Sequence, residues 1–123
     1  MATQTLERRE TDTMIGSDKV EGTNVYRPDG DKIGSIERIM IDKISGKVAY
    51  AVMSFGGFLG MGHDHYPIPW SLLKYNTKLG GYEVNIPDQQ LKGAPSYSED
   101  WDWEDRKRAQ EIYDYYRVPP YWM

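Results

Sequence analysis

Residues 32–42, KIGSIERIMID, alternate apolar and polar side chains, but the alternation changes phase part-way. Ile33, Ile39 and Ile41 fall at odd positions and Ile36 and Met40 at even ones. The stretch therefore reads as one long strand with two partly apolar faces and a bulge or bend near Glu37 and Arg38. Residues 48–55, VAYAVMSF, are apolar on both parities, the mark of a strand covered on both sides. KISGK between these runs is turn material, and together they make the strongest hairpin signal in the chain. Shorter strands are expected at 24–27, ahead of the turn PDGD, and at 65–68. PWSLLKY follows as a tight turn that feeds Leu72 and Leu73 inward. NTKLGGYEVNI reads as a further hairpin closed by Gly80 and Gly81. Short strands at spacings of about 8 to 12 residues predict a small antiparallel β-barrel or sandwich, and closure would remove its exposed edges.

The pattern changes after residue 97. Ser98, Asp100 and Asp102 are possible N-caps, and acids occupy the turn that follows. Ala109, Ile112, Tyr113 and Tyr116 then recur at helical spacing on one face. A helix is expected from Trp101 or Asp102 to Tyr116, stopped by Pro119 and Pro120. Residues 1–21 are polar and aperiodic and read as a flexible arm, with order beginning near Gly22. The expected organisation is an arm at 1–21, a barrel at 22–95, and an aromatic-rich helix and tail at 96–123. A barrel of that size alone buries only about 60% of its unfolded surface. Trp101, Trp103, Tyr121 and Trp122 are therefore expected to cover either the barrel's open end or a neighbouring subunit.

Composition narrows the class. Hydrophobic residues make up 39% of the 123, too many for a disordered chain. Cysteine is absent, which excludes disulfides and thiolate sites. No apolar run approaches the roughly 18 residues of a membrane span, and the first residues lack a signal peptide's apolar core. A soluble, cytoplasmic protein is expected. The net charge of −4 divides into −2 over residues 1–21, +1 over 22–95 and −3 over 96–123. With no basic stripe, direct nucleic-acid binding is not expected.

The chain's only histidines, His63 and His65, flank Asp64 after a glycine-rich loop. On a strand both imidazoles would share a face. Two imidazoles could ligate one metal, but a closed structural zinc site needs four ligands. They are read as solvent-facing, with a metal or a pH-sensitive contact as the alternatives. Neither a nucleophile elbow nor a phosphate-binding glycine pattern surrounds them, so no catalytic residue and no cofactor are expected. Asp29, Asp31 and Asp42 lack EF-hand spacing and read as turn residues. The glycines between Gly56 and Gly62 allow sharp turning that directs Phe55, Phe58 and Leu59 inward or toward a partner. A nucleic-acid stacking platform built from Trp101, Trp103, Tyr115, Tyr121 and Trp122 is opposed by their acidic surroundings. Residues expected at a partner interface are Phe55, Phe58, Leu59, Trp101, Trp103, Tyr113, Tyr116, Tyr121 and Trp122.

Several motifs in order carry a family likeness. Asp29-Gly30 leads to Ile33-Gly34; the hairpin runs from Asp42 to Val52; the loop GGFLGMG occupies 56–62; Ile68-Pro69-Trp70 follows. Residues 22–95 thereby closely resemble the PRC-barrel domain, found in the photosynthetic reaction-centre H subunit and in the ribosome-maturation factor RimM. The first of these carries an N-terminal transmembrane helix and the second a domain ahead of its barrel. The 21 polar residues here match neither, and the chain is similar to the stand-alone bacterial, reaction-centre-H-like PRC-barrel proteins. The resemblance implies a non-enzymatic, homodimeric barrel that docks on other proteins as an assembly adaptor for a membrane or electron-transfer complex. The alternatives are a RimM-like accessory in ribosome maturation or RNA processing, and a small-ligand or metal-binding regulator.

Overall fold

The computed structural model describes residues 11, 13–56, 65–96 and 105–122. A four-residue helix α1 (Ser17–Val20) leads into strands β1 (Asn24–Tyr26), β2 (Lys32–Ile41), β3 (Val48–Ser54) and β4 (His65–Pro69). A 3-10 turn (Trp70–Leu72) connects to β5 (Lys74–Asn76) and β6 (Gly81–Glu83). The helices α2 (Asp88–Lys92) and α3 (Arg106–Tyr116) follow. The sheet order is β4-β3-β2-β1-β6-β5.

The β2–β3 hairpin forms as its pattern predicts. Its register steps between Ile36 and Arg38 and again between Met40 and Ile41. At the first step Glu37 is the extra residue, where the alternation changes phase, and its carboxylate accepts the Ser54 hydroxyl at 2.8 Å. At the second, Ile41 faces Val48 and Met40 faces Tyr50, so Ala49 has no opposite number on β2. Gly46 turns the hairpin with φ +77°. The interior residues of β3, Ala49 to Met53, are all buried.

The expected small, β-dominated fold with a C-terminal helix is what forms, and it departs from an antiparallel barrel or sandwich with a closed sheet in two respects. β1 and β6 run parallel, pairing Val25 with Tyr82 and Tyr26 with Glu83. The ladder is also open, with β4 and β5 at its two ends. The 3-10 turn joins the two end strands, and is closed by Leu73 N–H donating to Trp70 O at 3.0 Å. Trp70 packs edge-on against Tyr82 with ring centroids 5.4 Å apart.

The core joins sheet and helices into one cluster, with Val25, Ile36, Val52 and Ile68 fully buried. Val20 of α1 belongs to it and Ile15 packs against it, both within the stretch 1–21 that the sequence reading takes as an arm. Their apolar side chains find cover on the sheet, which the polar residues around them conceal in the sequence. At the other end α3 packs on β4 and contributes Ile112, Tyr113 and Tyr116 to the core. Its N-cap is Asp105, whose carboxylate accepts from Lys107 N and Arg108 N at 3.0 and 3.3 Å. Ser98, Asp100 and Asp102, the expected caps, lie outside the described residues. Helix α3 ends before the prolines, because Arg117 adopts the left-handed conformation with φ 57°. Arg117 N and Val118 N then donate to Asp114 O and Tyr113 O, each at 3.1 Å, a Schellman closure.

Candidate interaction groove at the C-terminal helix

The Schellman turn and Pro119-Pro120 fold the tail back along α3. Tyr121 and Trp122 come to lie beside Tyr113, with ring centroids 6.4 and 5.7 Å away, and 5.2 Å from one another. Tyr113 is buried, stacks obliquely on Tyr50 at 5.3 Å, and donates its hydroxyl to Ala49 O at 2.9 Å. The bulged residue of β3 thus supplies the acceptor that fixes the helix. A second clamp joins α3 to α2: Gln90 Nε2 donates to Tyr115 O at 3.1 Å, and Tyr115 Oη donates to Gln90 O.

Between the hairpin and this tail lies a groove of about 460 Å³. Met40, Ile41 and the turn residues 42–44 form one side, Ala49 and Tyr50 the floor, and Arg106, Ala109, Tyr121 and Trp122 the other side. Two isoleucines of the hairpin are unusually open to solvent: Ile44 is 97% exposed and Ile41 49%. The Arg106 guanidinium sits over the Trp122 ring, 3.9 Å from its centroid.

Electrostatics divide the groove into a neutral floor and charged walls. Burial pushes the Tyr50 phenol up to about 12, with its hydrogen bond to Tyr113 acting the other way. Burial also raises Tyr113, with Tyr50 adding to the effect, and raises Tyr116. These phenols are neutral at physiological pH. Ser45, by its hydroxyl first and its backbone N–H second, holds the Asp42 carboxyl below the usual range, and Tyr121 and Arg106 add to the effect. Asp42 accepts from Ser45 N at 2.8 Å, as a turn residue should, and from the Tyr121 hydroxyl at 3.5 Å.

The residues expected at a partner interface separate in the structure. Phe55, Tyr113 and Tyr116 are core residues, exposed by 2%, 2% and 6%, and offer no contact surface. Phe55 turns inward to meet Tyr66 edge-on at 5.2 Å. Tyr121 and Trp122 are half-buried and line the groove. Phe58, Leu59, Trp101, Trp103 and His63 lie outside the described residues. His65 begins β4, half-buried and opposite Ser54. Among the described residues no three His, Asp or Glu side chains gather as metal ligands would. Sequence reasoning passed over Ile41, Ile44 and Arg106. The available signal was Ile44, an isoleucine in the middle of a polar turn.

The family model of the PRC-barrel domain matches residues 12–91. The chain belongs to the PRC-barrel family. No curated protein sequence matches it. The matched PRC-barrel stretch takes in Ile15 and Val20, in keeping with their packing on the sheet. It stops short of α3, so the groove forms where the PRC-barrel domain meets a helix beyond the matched stretch. Glycines of the family motifs have visible work here: a side chain on Gly34 would collide with the Ser54 carbonyl oxygen, with Phe55 Cα only 3.1 Å away.

Proposed function

We propose that this PRC-barrel protein is a non-enzymatic docking module, an assembly adaptor that holds a protein partner at the groove between its hairpin and its C-terminal helix. The exposure of Ile44 beside a wall of Tyr121 and Trp122 carries the reading. An isoleucine left open on a hairpin tip gains about 1.5–3 kcal/mol when a partner covers it. Aromatic side chains are what interface centres are enriched in. Among the described residues no helix is long and apolar enough to cross a membrane. In this reading the protein works in the cytoplasm and reaches any membrane or electron-transfer complex through its partner.

The test is affinity capture from soluble and membrane fractions separately, with the full chain and its Ile44→Ser variant, and light scattering of the purified protein. A partner held in fixed ratio by the full chain and lost from the variant supports the reading. Equal capture by both, or capture of nothing by either, overturns it.

A further inference from the structure

We infer that the groove takes a protein segment in which apolar side chains are flanked by carboxylates, with Arg106 and Lys43 receiving the carboxylates and Ile41, Ile44 and Trp122 the apolar part. The inference rests on the docking reading above and names the chemistry of the partner.

Arg106 carries the argument. It is exposed, stacked on Trp122, and among the described residues has no ion-pair partner. Stacking fixes the plane of a guanidinium while leaving its N–H donors free, the geometry that suits a carboxylate. Its place in the helix is also against helix stability. Arg106, Lys107 and Arg108 open α3, whose first turn has no acid, and cations at a helix N-terminus oppose the macrodipole. Helix formation therefore does not account for the Arg at this position; its stacking on Trp122 does, and that stacking turns its donors toward an anion in the groove.

The groove's own carboxylate does not change the sign. Asp42 accepts from Ser45 and Tyr121 and also feels the charge of Arg106, without pairing with it directly, and Lys43 follows it on the rim. A basic segment would meet two cations and one carboxylate already engaged. An acidic segment meets the same three charges, which sum to +1, and an apolar surface between them. The volume is that of a small-molecule pocket, so the occupant is a short segment rather than the face of a domain.

The experiment is a fluorescence-anisotropy titration of the full chain against three labelled heptapeptides. One alternates Asp with Leu around a central Trp, the second has Lys for every Asp, and the third keeps Asp but replaces Leu and Trp by Ser. The first is expected to bind about tenfold more tightly than either other, a factor within the reach of a charge-assisted hydrogen bond, and to weaken as salt rises. Arg106→Glu should abolish the preference over the basic peptide. That substitution places an acid where the helix favours one, so folding is retained. Lys43→Glu and Ile44→Ser, on the exposed turn, should each weaken the first peptide without changing the circular dichroism. Equal binding of acidic and basic peptides, or indifference to both Arg106→Glu and Lys43→Glu, overturns the inference. So does occupation by a second copy alone, seen as self-association that Ile44→Ser removes and the peptide does not displace. In each of these cases the affinity capture still decides the docking reading separately.

Discussion

Removing one oxygen atom tests how the C-terminal helix is attached. Tyr113→Phe deletes the hydroxyl that donates to Ala49 O at 2.9 Å and leaves the ring against Tyr50, Tyr121 and Trp122. The carbonyl left behind is at a bulge, where Ala49 faces no residue of β2. A buried polar group without its partner costs about 1–3 kcal/mol. Losing the phenol's own desolvation offsets part of this, so a net loss of about 1–1.5 kcal/mol is expected. With an unfolding entropy of about 2.1 cal/mol/K per residue, the 123-residue chain should melt about 4–6 °C lower. Tyr113→Ala, which removes the ring as well, should cost about 3–5 kcal/mol. The assay is urea unfolding followed by tryptophan fluorescence and by far-ultraviolet circular dichroism. Both probes should report one transition with an unchanged slope, because helix and sheet share a core. A Tyr113→Phe protein within about 0.3 kcal/mol of the parent, a difference too small for a surviving buried-carbonyl penalty, would refute the attachment. Two separated transitions in the parent would refute the shared core.

Three further outcomes follow from the same geometry. Gly34→Ala forces a methyl group into the Ser54 carbonyl and Phe55 Cα; both are backbone, so about 3 kcal/mol should be lost, and an unchanged denaturation midpoint would contradict the close approach. Asp105→Ala removes the carboxylate that caps Lys107 N and Arg108 N, for a loss of about 1 kcal/mol, read as faster amide exchange in α3 than in β3. Alkali should destabilise the fold, since Tyr50, raised to about 12, and the also raised Tyr113 and Tyr116 keep their protons when folded. Their unfolded counterparts ionise near 10, so stability holds below pH 10 and falls as pH climbs toward 12; a flat profile across that window would count against the burial of these phenols.

The strands were legible because local chemistry determines them. The phase change at Glu37 and Arg38 marks the bulge, and Gly30, Gly46 and Gly80 stand at turns with positive φ. The parallel pairing of Val25 with Tyr82 joins residues too far apart in sequence for any turn to specify, so periodicity could not supply it. Helix α3 ends at Tyr116 as expected, with Arg117 rather than the prolines as the stop, and among the described residues it begins after Asp105, one of several acids that compete as caps in the sequence. Helix α2, five residues long, is too short to show a period. The groove was legible only in half. The tail's aromatic density pointed to Tyr121 and Trp122, but which aromatic becomes core and which becomes wall depends on where the chain reverses. Ile44 and Arg106 acquire meaning only when the fold brings the hairpin turn to the helix N-terminus.

The bulge at Ala49 ties barrel and helix into one unit. It supplies the acceptor for Tyr113, and Tyr113 in turn is the surface on which Tyr121 and Trp122 pack. Without α3 the buried phenol of Tyr50 and the Ala49 carbonyl would lose a cover that the sheet alone does not provide. Without the hairpin the tail would have neither Asp42 to meet Tyr121 nor a facing wall. A groove built across such a junction responds to the folding of both parts. Any change that loosens the helix, even far from Ile44, should therefore weaken the proposed docking as well.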